Sequence, residues 1–391
     1  MTTPDRPTPQ WRSRGFSLPL ESPLGTARGE LHSRGGRLVG IVVDGRVRGV
    51  GEATPLPGWT ESSADCAAAL DDVSETDPRA GRLPDAATPA ARFGVGVAHR
   101  DRLARRRGVP VAETLADDPP GSVPVNATVG DGSVDETVTA ARAAVDEGFE
   151  TLKLKVGARD PAADRERVRA VARALANRGD NHSTADPAAP GPTLRLDANG
   201  AWDRETARET LAAVADTVAY VEQPVPAEDL AGLAALRGVG AAVAADEALA
   251  AHGPRAVVAA DAADVLVCKP AALGGLERTL AVARAAAARG VDTVVTTTID
   301  GVVARTAATH LAAAVAAVTE STGGSLNEQS AVGRDPLGTP RAHGLATGSL
   351  LARDLQSTGG DPLPDPVPVS GGRVPVPDAS GLAGATFDTS V

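Results

Sequence analysis

Short apolar runs recur along much of this chain at intervals of about two dozen residues, and alanine- and arginine-rich stretches separate them. No other feature constrains the fold as tightly. The runs are VPVNATV (123–129), TLKLKVG (151–157), TLRLDAN (193–199), AYVEQPV (219–225), AAVAADEAL (241–249), DVLVCKP (264–270) and VDTVVTTT (291–298). Between the first two, Ser133 reads as a helix N-cap and Gly148 as the stop. Strands alternating with helices predict a parallel sheet covered by helices. Seven such units, with an eighth after a helix expected at 302–317, predict a (β/α)8 barrel over residues 121–340. A doubly wound sheet is the alternative. No glycine-rich phosphate loop supports it, and GVGVA at 94–98 is a GxG in the wrong context. The polar segment 180–192, DNHSTADPAAPGP, interrupts the rhythm and reads as a surface insertion.

The flanks differ from this middle. GRLVGIVVDGRVRGVGEATPL (36–56) reads as a β-hairpin closed at Asp44-Gly45, followed by helical stretches and a DDPPG linker. Residues 1–120 are therefore expected to form an α+β domain capping the barrel. The tail, 341–391, is rich in proline and glycine and carries a strand-like RVPVPDASGLA. A short strand cannot stand alone, so the tail is expected to pack back on the N-terminal region.

Composition narrows the classes of function. A net charge of −11 argues against a nucleic-acid partner, which calls for a basic patch or stripe. Acidity, scarce lysine and small apolar side chains suit a high-salt cytoplasm and bear on solubility rather than chemistry. Cys66 and Cys268 form no CxxC pair and read as reduced core residues. No signal peptide and no run of about 20 apolar residues is recognised, so a cytoplasmic protein without a membrane partner is expected.

Placing the charges on the strands changes the picture. Lys153 and Lys155 alternate with apolar residues and share one face, which puts both inside the barrel near its C-terminal end. Asp197, Glu222, Asp246 and Lys269 end the next four strands, at spacings of 25, 24 and 23 residues. Five charges thus occupy equivalent positions around one ring, at the face where barrel active sites lie. Three carboxylates converging there repel unless a cation sits among them. With oxygen ligands alone, that cation is a hard one, Mg2+ first and Mn2+ next. None of His32, His99, His182, His252, His310 and His343 falls on an expected strand end, so no histidine is assigned to catalysis.

Lysine occurs only at 153, 155 and 269, although the chain carries 39 Lys+Arg. Arginine replaces it wherever charge alone is needed, but arginine cannot give up its proton. Burial and neighbouring positive charge lower an ammonium pKa and make a lysine a usable base. The three lysines therefore mark places where a proton moves or a compact ammonium must fit. Cys268 lies on the strand face opposite Lys269 and is expected to pack.

The motifs LKLKVG, LDANGAW, VEQPVP, ADEAL and CKPAALGGL, in this order and spacing, resemble the muconate-lactonizing subgroup of the enolase superfamily. The resemblance implies that Lys155 is the base on one face of a small carboxylate substrate, with Lys153 beside it. It further implies that Asp197, Glu222 and Asp246 bind Mg2+ and that Lys269 faces the substrate from the other side. Within the subgroup, PLGTARGE (23–30) and GVGEATPLPGWTES (50–63) most resemble the o-succinylbenzoate synthase family, with N-succinylamino acid racemases and dipeptide epimerases as the neighbouring enzyme readings. A non-catalytic carboxylate-binding barrel is the reading of another class. Arg195, Asn199, Thr297, Thr298, Asp300 and Gly301 are the substrate contacts the resemblance implies. TTTIDGVVA (296–304) departs from the family's carboxylate-binding stretch after Thr298.

Overall fold

The computed structural model describes residues 8–26, 29–176, 191–323 and 341–391. The insertion expected at 180–192 falls outside these except for its last two residues, and so does His182. The chain begins with a three-stranded antiparallel sheet of β1 (Gln10–Thr26), β2 (Gly29–Val43) and β3 (Arg46–Ala53). The β2–β3 hairpin turns at Asp44-Gly45, both at positive φ, as a two-residue turn of this handedness requires. The long β1, paired with β2, was not among the strands expected from the sequence.

The helices Ser63–Ser74 and Pro89–Arg107 cover this sheet, burying Val39, Ala53, Cys66, Leu70, Val73, Ala91 and Val95 together. The second helix approaches β3 very closely. A Cβ built on Gly51 would lie 1.9 Å from the Gly94 carbonyl oxygen, and one on Gly49 would lie 2.2 Å from that of Ala98. Alternate glycines in RGVGEA are thus what lets a helix backbone rest on the strand.

A short β4 (Ser122–Pro124) leads into the parallel strands β5 (Ala127–Val129), β6 (Thr151–Lys155), β7 (Thr193–Asp197), β8 (Tyr220–Glu222), β9 (Ala242–Ala245), β10 (Val265–Cys268) and β11 (Asp292–Val295). They pair in chain order in one curled sheet. All seven strands foreseen are present, and the capping box at Ser133 and Glu136 starts the helix Val134–Asp146. The eighth position is taken by two residues only. His343 bridges Val125 in parallel and Gly344 bridges Thr296, so the ring of pairing closes between β11 and β5. His343 is therefore a barrel residue, at a position the sequence did not mark as a strand. It is buried, and its Nδ1 accepts the Val295 N–H at 3.0 Å.

Two cores result. Inside the barrel, Tyr220, Ala244, Val265, Val267 and Val294 pack together. Outside, Leu152, Leu154, Leu196, Val221, Val243, Leu266 and Cys268 meet the helices, and both cysteines are free and buried. Helix Val302–Gly323 corrects the expectation that no long apolar run exists. Its segment Val302–Thr319 is long and apolar enough to cross a membrane, yet 83% of it is buried in the protein, as suits a core helix.

The tail strand β12 (Arg373–Pro375) pairs with β4 at the barrel entry. Other tail residues reach the N-terminal region: Leu351 bridges Leu20, Gly381 bridges Pro110, and Arg14 donates to the Ser390 carbonyl. His310, buried in the long core helix, links three parts of the chain. Its Nδ1 accepts from the Ala112 N–H, and its Nε2 donates to the Leu382 carbonyl.

Burial pushes the His310 imidazole down to about 4 from an ordinary 6.5. The unfolded chain therefore binds a proton at a higher pH than the folded one, and the stability His310 contributes is complete above about 6.5 and lost as pH falls toward 4. Comparing urea unfolding of the wild type and His310→Gln at several pH values isolates this effect. The advantage of the wild type should shrink by up to about 3 kcal/mol between pH 6.5 and 4. A constant difference would refute the neutral clamp.

Candidate active site

The ends of five successive strands, β6 to β10, build the site. Lys155, Asp197 and Glu222 are successive register partners on β6, β7 and β8, so their side chains share the inner face. Asp246 and Lys269 directly follow β9 and β10. Lys153, one layer deeper, donates to Asp197 Oδ2 at 3.0 Å and to Glu222 Oε1 at 3.2 Å. Lys155 donates to the same Asp197 oxygen at 2.7 Å and to Asn199 Oδ1 at 2.9 Å. Lys269 is hydrogen-bonded to Asp246 and lies over the Trp59 ring, 3.6 Å from its centroid. The six charged residues named from the sequence are thus brought together. Trp59, from the N-terminal domain, was not foreseen.

Burial and mutual charge set the electrostatics. Burial, and then the neighbouring Asp197, pushes the Glu222 carboxyl up to about 7. Asp246 is lifted to about 6, because burial and the adjacent Glu247 outweigh the Lys269 ammonium. Asp197 is also desolvated, but Lys153 and Lys155 overcome this and hold it below the ordinary carboxylate range. Lys153 is governed by its carboxylate neighbours. Burial alone would lower its ammonium, yet Asp197 and Glu222 hold it well above its ordinary value. Its nearest neighbours are carboxylates rather than cations, so it acts as a fixed positive charge.

Gln223, Arg167 and Asp164, which the sequence did not single out, fix the strand ends together with Asn199, which it named as a substrate contact. Gln223, fully buried at positive φ, accepts the Asp246 and Ala248 N–H groups on Oε1 and donates to the Val225 carbonyl. It holds the end of β9 where Asp246 emerges. Arg167 grips the Lys155 carbonyl and pairs with Asp164, which itself accepts the Gly157 N–H at 2.7 Å. Asn199, also at positive φ, donates from its own N–H to Asp197 Oδ1 and from Nδ2 to Glu247 Oε1. These supports are uncharged or sit on helices, where strand periodicity gives no signal.

The other residues named from the sequence lie around this centre. Arg195 is fully buried below Asp197, stacked on Tyr220 at 4.9 Å and donating to the Ala342 carbonyl. Thr297 exchanges a hydroxyl hydrogen bond with Thr347 at 2.8 Å. Thr298 donates through Oγ1 and its N–H to Asp300, and the Gly301 N–H donates to Glu52 Oε1. Thr297, Thr298 and Asp300 are all buried, with these polar groups engaged by the chain itself.

The donor set suits a hard divalent cation. Asp197, Glu222 and Asp246 are buried oxygen donors, two of them raised by burial and then by neighbouring carboxylates, and Glu247 Oε2 beside them is buried without a partner. Among the described residues no three such side chains already converge tightly enough to hold an ion. Asp197 faces two lysines and Asp246 faces Lys269, so ammonium groups supply the balancing charge in this arrangement.

Known proteins share this architecture. Muconate cycloisomerase 1 of Rhodococcus opacus is 31% identical over 319 residues, spanning 76% of this chain and 82% of its own. An o-succinylbenzoate synthase of Thermosynechococcus vestitus is 31% identical over 250 residues, or 61% and 69% of the two chains. The solved dipeptide epimerase of Methylococcus capsulatus, complexed with Mg and the dipeptide L-Arg-D-Lys, is 26% identical with a TM-score of 0.74, covering 96% of this chain and 99% of that one. The fold is accordingly a TIM-like barrel with an N-terminal cap. Residues 136–391 match the family described as enolase C-terminal domain-like, and the chain belongs to the enolase superfamily.

Proposed function

We propose that this chain is a Mg2+-dependent o-succinylbenzoate synthase, which dehydrates 2-succinyl-6-hydroxy-2,4-cyclohexadiene-1-carboxylate to 2-succinylbenzoate in menaquinone biosynthesis. The observation that carries the reading is the unequal placing of the lysines. Lys155 is the most open of the three, with 35% of its side chain exposed, against 11% for Lys269 held between Asp246 and Trp59. One reachable amine and one enclosed ammonium suit a reaction with a single base. The relationship to an o-succinylbenzoate synthase and the motif at 50–63 support the same choice. The companion motif at 23–30 lies partly outside the described residues.

In this mechanism Lys155, as the amine, takes the proton alpha to the ring carboxylate. It then returns that proton to the departing hydroxyl on the same face, which leaves as water while the ring becomes aromatic. Lys269 stabilises the negative charge that develops between these two steps. Asp197, Glu222 and Asp246 would hold the metal, with Mn2+ able to replace Mg2+. When bound it would supply positive charge beside the substrate carboxylate and make the alpha proton more acidic. Lys153 balances the carboxylates beneath. Placing a lysine on each face also suits a second reading, racemisation of N-succinylamino acids or epimerisation of dipeptides by two bases.

Metal removal tests the ligand set. EDTA should abolish turnover and Mg2+ restore it, and Asp197→Asn, Glu222→Gln and Asp246→Asn should each weaken Mg2+ binding measured by calorimetry. Full activity in a metal-free preparation would overturn the assignment.

The lysines separate the two mechanisms. Assayed on the cyclohexadiene carboxylate beside N-succinylamino acids, Lys155→Arg should lose at least about a thousandfold in kcat, because arginine cannot take the proton. Lys269→Arg should retain a measurable fraction of dehydration if it supplies charge alone. Under two-base racemisation it should instead be as inactive as Lys155→Arg, while still exchanging the alpha proton of one enantiomer with solvent deuterium. Equal and complete loss of dehydration in both variants, with Mg2+ binding intact, would refute the single-base mechanism.

A further inference from the structure

The N-terminal domain contributes one side chain directly to the ring of charges. Trp59 sits in a tight turn in which the Trp59 and Thr60 N–H groups both donate to the Leu56 carbonyl, while the Leu56 N–H donates to Thr60 Oγ1 at 2.7 Å. Gly58, at φ 105°, makes the turn possible. The turn in turn hangs from Arg34. That buried guanidinium donates to the carbonyls of Thr54 and Pro55 at 2.9 Å each, and on its other side to those of Thr298 and Ile299 at 3.0 and 3.3 Å. Next to it, Glu52 accepts N–H groups from Gly301 and Ala304. One domain's loop is thus tied to the loop after β11, and the indole is delivered to a fixed place over Lys269.

We infer that Trp59 is a positioning residue for Lys269: its indole face and the Asp246 carboxylate hold the Nζ atom from two directions at the barrel mouth. The side chain of a lysine has four rotatable bonds and loses much entropy when fixed, so a single carboxylate contact leaves it several geometries. A ring face adds a second, directional attraction for the cation. Removing the aromatic face should release Lys269 and lower the rate of the step it assists, with substrate affinity little changed. The inference rests on Lys269 serving the reaction, whichever carbon acid proves to be the substrate.

The test combines a spectroscopic cycle with kinetics. Trp emission should change when Lys269 is replaced by Met in the wild type, and this change should vanish in a Trp59→Phe background. That arm needs no substrate and holds even if the proposed dehydration is wrong. In the kinetic arm, run on dehydration or on N-succinylamino acid racemisation, whichever the wild type performs, Trp59→Leu should lower kcat by about tenfold, within the range of a desolvated cation–ring contact. KM should stay within about twofold, and Trp59→Phe should recover most of the rate. An emission change that persists without Trp59 would overturn the contact. A rise in KM alone would show Trp59 to be a substrate contact instead, and equal behaviour of the Leu and Phe variants, tracking melting temperature, would show it to be structural; either overturns the inference.

Discussion

Three carboxylates buried at one barrel mouth are costly, and the site is organised around meeting that cost. Asp197, Glu222 and Asp246 are each 3% exposed or less, and all three lysines of the chain point at them. A buried charge without a partner destabilises a fold strongly, whereas a network in which each charge has an opposite neighbour is tolerated. Here the compensation is incomplete. Burial keeps Glu222 and Asp246 raised, so both tend to hold protons that a hard cation would displace, and Glu247 keeps an unpartnered oxygen beside them. The supports around it hold the backbone: Gln223 binds the end of β9, and Arg167, itself paired with Asp164, binds the Lys155 carbonyl.

The seven parallel strands and the ring of charges were legible because both follow from one period. Each βα unit returns the chain to the same mouth, so residues about two dozen apart come together. The closure of the barrel was illegible for the opposite reason. His343 and Gly344 make one bridge each, too short a piece to show alternation, and follow a helix whose apolar run reads alike in a core or a membrane. β1 was missed because its polar residues give no clean apolar alternation, and its pairing with β2 is visible only in three dimensions. Trp59 could not be placed from sequence, since nothing local says that a loop of one domain rests on a lysine of another. Even the glycines of RGVGEA, plain in the sequence, explain themselves only once a helix is seen lying on β3.

The loop after β11 shows how resemblance and geometry differ. The resemblance implies substrate contacts at Thr298, Asp300 and Gly301, yet here their polar groups are spent on one another and on the N-terminal domain. Ile299 between them has φ +59°, an uncommon conformation for a β-branched residue. Arg34 accepts that conformation by binding the carbonyls on either side of it. Burial, followed by the nearby Asp300, also raises Glu52 to about 7, so a second set of buried acids and one arginine forms the joint between domains. The strain and the buried charge both sit at this joint, where they tie the position of the N-terminal loop to that of a barrel loop.

The division of labour between arginine and lysine follows from the two kinds of crowding. At the joint, Arg34 reaches four carbonyls at once, and Arg305 meets Asp354 and Asp365 together. A planar fork with five donors suits such places, and an ammonium would leave some acceptors unmet. At the mouth, the acceptors are carboxylates spaced along neighbouring strands, and Lys153 touches two of them from a single atom. The guanidinium of Arg195 lies deeper on the same inner face, stacked on Tyr220, while the compact ammonium groups meet the carboxylates at the mouth. Composition turned almost every cation of this acidic chain into arginine, and the ring of carboxylates is where geometry kept the lysines.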